Sequence, residues 1–163
     1  MPHRKLFDLF GELDIEFKNF EHKPAYTFDE MYDVTNQIPG AHNKNLLLNS
    51  PLRGLVMIVM LGHDKLDLKA CYQTLEIAKS SFTKPEIMEE VLGVTPGSVT
   101  PFALMNDPAH KVEVFLDEEM MNHDLLNYHP LRNDMTTTIK SEDLIKFLKH
   151  TGHQYQIVKL PKR

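Results

Sequence analysis

One lysine of the chain lies among leucines. Lys44 stands in Gly40-Ala41-His42-Asn43-Lys44-Asn45-Leu46-Leu47-Leu48, a run with the character of a buried strand. Strand alternation puts its side chain on the side of Leu46 and Leu48. A lysine sharing a face with core leucines either snorkels to water or stands at the wall of a pocket. Spacing alone favours snorkelling, because lysines are seldom buried.

A second candidate is the segment Gly93 to Pro101, with two glycines and two prolines in nine residues. It is either a structured connection or a rigid loop that presents backbone N–H and C=O groups to a small substrate. Prolines restrict its backbone, and Gly97 permits close approach by a ligand. The third candidate is His129-Pro130-Leu131-Arg132-Asn133, where the proline holds His129 extended. That histidine is either structural or lines a pocket.

Other chemistries find little support. The nine histidines are dispersed, and the tightest pair, His150 and His153, has neither an HExxH context nor a cysteine partner, so no metal is expected. Gly97-Ser98-Val99-Thr100-Pro101 is not a GxSxG elbow, and the single cysteine, Cys71, reads as a core residue of a helix. No GxxxxGK[ST] or GxGxxG cradle occurs. The net charge of −5 argues against broad coating of nucleic acid and against DNA as a partner, and confines any RNA contact to a local one. No apolar run is long enough to span a bilayer, and the start of the chain lacks a signal-peptide core, so a cytoplasmic location is expected.

Around these residues the elements follow from pattern. Leu6, Leu9, Phe10 and Leu13 predict an opening helix over 3–13, and alternation over 14–22 predicts a strand. Thr27 and Glu30 form a capping box that starts a helix reaching about Asn36. After a turn at Pro39-Gly40, strands 43–49 and 54–61 form a hairpin, followed by helices over 67–75 and 84–92, the latter stopped by Gly93. Strands are expected at 111–116, near 125–129, at 136–139 and at 154–160, with a helix from Ser141 to Gly152 between the last two. Leu144, Ile145, Phe147 and Leu148 face inward. With no repeat or linker, residues 1–163 read as one α/β domain of mixed α+β character: a central, mixed, largely antiparallel sheet flanked by helices.

Together the three candidate segments resemble the YbaK/prolyl-tRNA-synthetase-associated domain family, most closely its free-standing alanyl-tRNA(Pro) deacylases. Resemblance covers Glu21-His22-Lys23-Pro24, Gly40 through Leu48, the long run Leu92 to Leu104 with its PGSVTPFAL core, Asn106-Asp107, Val112 to Asp117, His129-Pro130-Leu131, Thr136 to Ile139 and Asp143 to His153. It implies an aminoacyl-tRNA hydrolase that edits in trans, with Ala-tRNA(Pro) as substrate. Lys44 and Gly97 are then catalytic, and Asn45, Ser98, Val99, Thr100, Pro101 and His129 bind substrate. No cofactor is implied. The partners are the acceptor end of a mischarged tRNA and, transiently, prolyl-tRNA synthetase, with no membrane. The alternatives are a deacylase for Cys- or Ser-tRNA and a tRNA- or synthetase-binding module without catalysis. An activated ester needs only an oriented water and a stabilised oxyanion, so the lack of a nucleophile or metal is no obstacle.

Overall fold

Every residue from Val56 to Met60 is fully buried, as expected of a strand covered on both faces. This strand, β3 (Gly54–Leu61), lies inside a mixed sheet. The computed structural model describes residues 2–24 and 37–163. The expected helix at Thr27–Asn36 lies outside the described residues.

The remaining strands are β1 (Phe17–Glu21), β2 (Ala41–Ser50), β4 (Ser81–Phe82), β5 (Val112–Asp117), β6 (Leu125–Tyr128), β7 (Met135–Lys140) and β8 (Tyr155–Val158). The sheet order is β1-β7-β6-β2-β3-β5-β8, with β4 added to β2. β2 and β3 form the expected hairpin, closed at Ser50↔Gly54. The Ser50 hydroxyl accepts from Leu52 N and Arg53 N and donates to the Ile77 carbonyl. The pairs β1–β7, β2–β3, β2–β4 and β6–β7 are antiparallel, whereas β2–β6, β3–β5 and β5–β8 are parallel.

Five helices are described: α1 (Pro2–Glu12), α2 (Leu68–Thr74), α3 (Pro85–Leu92), α4 (Glu118–Met121) and α5 (Ser141–Thr151). α2 is capped by Asp67, whose side chain accepts from Ala70 N. α3 starts at Pro85 and ends at Gly93 with φ +69°, as its sequence signals require. The short strand β4 and the single-turn α4 were not legible in the pattern; both are too short to display a period. None of the described helices is long and apolar enough to cross a membrane.

Alternate residues of β2 and β3 divide between two cores. Leu48, Val56, Ile58 and Met60 pack with Cys71, Leu75, Ile77 and Phe115 beneath α2. Leu47, Met57, Val59 and Leu61 join the larger core under α1, α3 and α5. There Phe102 meets Phe10, Tyr128 and Phe147 edge-on, with ring centroids 5.2, 5.5 and 5.7 Å apart. Cys71 is fully buried, and burial pushes its thiol up to about 11, so it is a packing residue and not a nucleophile. Ile145 is only half-buried, unlike its neighbours Leu144, Phe147 and Leu148.

Candidate functional site

The parallel ladder between β2 and β6 is very short: Ala41 pairs with Leu126 and His42 with Asn127, and the pairing stops there. Further along, β4 takes up the same edge only at Leu48 and Asn49. Between these two ladders, residues 43–46 of β2 have no described strand partner on that edge. The close start is made possible by Gly40, whose φ is +107°; a Cβ there would lie 2.9 Å from Leu125 Cβ and 3.0 Å from Asn127 Nδ2. Buried Asn127 fixes the turn by donating to the carbonyls of Pro39 (3.1 Å) and Ala41 (3.3 Å) and accepting from the Thr138 hydroxyl.

The loop Gly97–Pro101 reaches the open edge of β2. It begins in a 3-10 turn, Pro96–Ser98, closed by Ser98 N to Thr95 O at 2.9 Å. Val99 and Thr100 are extended, and Thr100 caps a second 3-10 helix, Pro101–Asn106, its hydroxyl accepting from Phe102 N. Ser98, Val99, Thr100 and Pro101 are all buried. The far end is tied back by Asn106, whose side chain donates to Leu92 O at 2.9 Å. With Phe102 in the aromatic cluster at one end and Gly93 closing α3 at the other, the loop is rigid by construction. Gly97 is half-buried and has no positive φ, so its backbone conformation by itself does not demand glycine.

Asn45 makes the contact to this loop. Its side-chain amide donates to the Val99 carbonyl at 2.9 Å, while its amide oxygen is buried without a hydrogen-bond partner, as is that of Asn43 two residues earlier. Buried polar atoms are rarely left unsatisfied except where a ligand or water completes them. Asn43 and Asn45 thus place two buried acceptors on one face of β2 beside its open edge. Asn43 was missed in the sequence; its signal is the i, i+2 spacing from Asn45.

Lys44 points the other way. Strand alternation carries it to the α2 face, where its Nζ donates to the Asp64 carbonyl. It lines a cavity of 620 Å³ with Leu46, Leu66, Leu68 and Phe82. Burial pushes its ammonium below the ordinary 10.5; Asp64 offsets part of that and Lys65 adds to it. The lysine therefore neither snorkels freely nor touches the loop, which meets its neighbour Asn45 instead.

His129 lies just past the last residue of β6, half-buried, and its Nδ1 donates to Met135 O at 2.7 Å. That bond leaves Nε2 as an acceptor. The turn behind it, with Pro130 and Leu131 buried, holds Leu131 at φ +67°, a conformation unfavourable for a branched side chain. Burial lowers the His129 imidazole, the Met135 carbonyl counters, and His22 at 6.1 Å between ring centroids lowers it further. His22 itself donates to Lys23 O and accepts from the Thr136 hydroxyl.

The histidine pair near Gly152 separates: His150 is exposed, whereas His153 is buried and bonded to Asp107 at 2.9 Å and to the Thr151 hydroxyl. Asp107 also accepts from Lys111 N and Val112 N, so this is a structural clamp that starts β5. One group of described carboxylates, Asp64, Asp117 and Glu119, converges closely enough for a cation. The Lys162 ammonium already pairs with all three.

Comparison with known proteins places this arrangement. Residues 22–147 match the aminoacyl-tRNA editing domain. The chain belongs to the aminoacyl-tRNA editing domain family. It is 31% identical over 150 residues to the prolyl-tRNA editing protein ProX of Acetoanaerobium sticklandii, covering 91% of this chain and 92% of that one. A relative from Danio rerio, prolyl-tRNA synthetase associated domain-containing protein 1, is 31% identical over 153 residues, covering 92% and 83%. Among solved structures, a candidate trans-editing enzyme for prolyl tRNA synthetase superposes with a TM-score of 0.74 at 19% identity, over 99% of this chain and 98% of that one. That likeness establishes the shared mixed α/β fold.

Proposed function

We propose that this chain is a trans-editing deacylase that hydrolyses the ester of Ala-tRNA(Pro). The observation that carries the reading is the Asn45 bridge to the Val99 carbonyl beside two buried, unpartnered amide oxygens. Two adjacent buried acceptors suit the α-ammonium of an aminoacyl group. The rigid, buried loop 97–101 sets a hard limit on side-chain size. A synthetase pocket built for proline cannot exclude the smaller alanine by bulk, so a second site that admits alanine and rejects proline completes a double sieve. The name of the bacterial relative supports the prolyl assignment.

The acceptor end enters along the open edge of β2. The aminoacyl group then lies on the Asn45 side with Gly97, Ser98, Val99, Thr100 and Pro101, and the terminal nucleotide lies toward Lys44. In hydrolysis, water adds to the ester carbonyl, the oxyanion forms, and the bond to the ribose oxygen breaks as that oxygen takes a proton. Backbone N–H groups of the loop near Gly97 stabilise the oxyanion, and Lys44, on the opposite face of β2, holds the nucleotide phosphate. His129 binds substrate through Nε2, the acceptor left free by the Nδ1 bond to Met135 O. Residues 1–163 act as one editing domain, with prolyl-tRNA synthetase as a transient partner.

A panel of purified mischarged tRNAs tests this. Release of alanine from Ala-tRNA(Pro), with Pro-tRNA(Pro) spared, is expected. Preferential hydrolysis of Cys- or Ser-tRNA moves the specificity, and no release from any member makes the chain a binding module.

A further inference from the structure

The cavity on the α2 side of β2 has a composition at odds with the acidic chain around it. Lys44, Lys65, Lys69 and Arg163 line it, together with a single carboxylate, Asp67, and Asp67 is engaged in capping α2. Lys65, Lys69 and Arg163 are exposed and, among the described residues, in no ion pair. The nearest other acid, Asp64, is held by Lys162 at 2.8 Å, and the same ammonium takes Asp117 and Glu119. Lys162 holds these three acids together in one cluster, and Lys65, Lys69 and Arg163 have no ion-pair partner among the described residues.

The second feature is Phe82. It is 63% exposed, and β4 holds it in register opposite Leu48 on the Lys44 side of β2. A large ring left in water next to unpaired cations is a stacking platform for a base whose phosphates those cations meet. The cavity, 620 Å³, has room for one or two nucleotides and not for a duplex.

We propose that this cavity binds single-stranded RNA, with phosphates on Lys65, Lys69 and Arg163 and a base stacked on Phe82. The proposal rests on the deacylase reading for its direction: the nucleotides just before the esterified end lie here, while the aminoacyl group crosses the edge of β2 to Asn45. Consecutive residues of one strand then serve the two parts of one substrate.

The test uses uncharged RNA, so it needs no catalysis. Binding of a short fluorescein-labelled single strand ending in CCA is followed by anisotropy across a salt series, with circular dichroism to confirm folding. Lys65→Glu with Lys69→Glu is expected to weaken binding about tenfold or more and to lower the log–log salt slope by about 1.4, two phosphate contacts on a single strand. Phe82→Ala is expected to weaken it by about fivefold or more. Lys111→Glu with Lys149→Glu changes net charge equally at a distant surface and is expected to leave affinity within about twofold, the long-range field being screened. Equal losses from the two double variants, an unaffected Phe82→Ala, equal affinity for a blunt duplex, or equal displacement by poly-glutamate each overturn the proposal. So does an absence of wild-type binding at RNA concentrations up to about 10⁻⁴ M. RNA binding with no release from any mischarged tRNA sinks the deacylase reading alone; release without binding of the uncharged strand sinks the cavity alone.

Discussion

The two faces of β2 are built in opposite ways. On the Asn45 face the wall is a loop pinned at both ends, with its residues buried and its orientation set by aromatic packing. On the Lys44 face the wall is an open cavity whose functional groups are long, flexible cations and one exposed ring. A rigid wall discriminates by size, because it cannot yield to an extra methylene without strain. A flexible cationic wall discriminates by charge and tolerates different sequences. The proposed function divides selectivity and affinity between side chains one residue apart.

The largest expected effect breaks the Lys44 side. Lys44→Ala should reduce deacylation by about 10²–10³-fold while circular dichroism and thermal melting stay near wild type. Single-turnover rates on correct and incorrect tRNAs should fall together; a change in the alanine-to-proline ratio instead would show that the faces do not divide the work. Next is the geometry that opens the edge. Gly40→Ala forces a Cβ against Leu125 at φ +107° and should cost about 3 kcal/mol. A melting temperature within error of wild type would mean that the β2–β6 approach is not needed.

The Asn45 face is probed more gently. Asn45→Ala removes the tether to Val99 and should narrow discrimination between Ala- and Pro-tRNA(Pro) by about tenfold, the scale of one lost buried hydrogen bond. Unchanged discrimination would free the loop from Asn45. The smallest effect concerns pH. The folded-state imidazoles of His42 and His129 lie below the ordinary 6.5, both mainly through burial. The unfolded chain therefore takes up protons first, and stability is expected to fall as pH drops below about 6.5. Melting between about pH 7 and pH 5 should show a loss of stability, reduced in His129→Gln. Identical slopes for the two proteins would remove His129 as a contributor.

Much of this division was legible in the chain. Gly93 and Gly152 end their helices in the left-handed region, and Pro85 starts α3, because caps and turns are local chemistry. The hairpin of strands 43–49 and 54–61 followed from the turn residues between them, and alternation placed Lys44 with Leu46 and Leu48. What the pattern could not reveal is that Asn45, and not Lys44, meets the loop. Alternation orders side chains by face, but the identity of each face depends on which distant segment packs there. The same limit hid the role of His153, because only the fold brings Asp107 to it.

The sequence by itself determined most of the longer elements, their order, and the membership of the aminoacyl-tRNA editing domain family, because these depend on residues near one another in the chain. The tertiary structure alone decided that the β2–β6 ladder stops after His42, that the loop closes on Asn45, and that Lys162 gathers Asp64, Asp117 and Glu119 into one cluster. Those are meetings of residues tens of positions apart, and no local period encodes them.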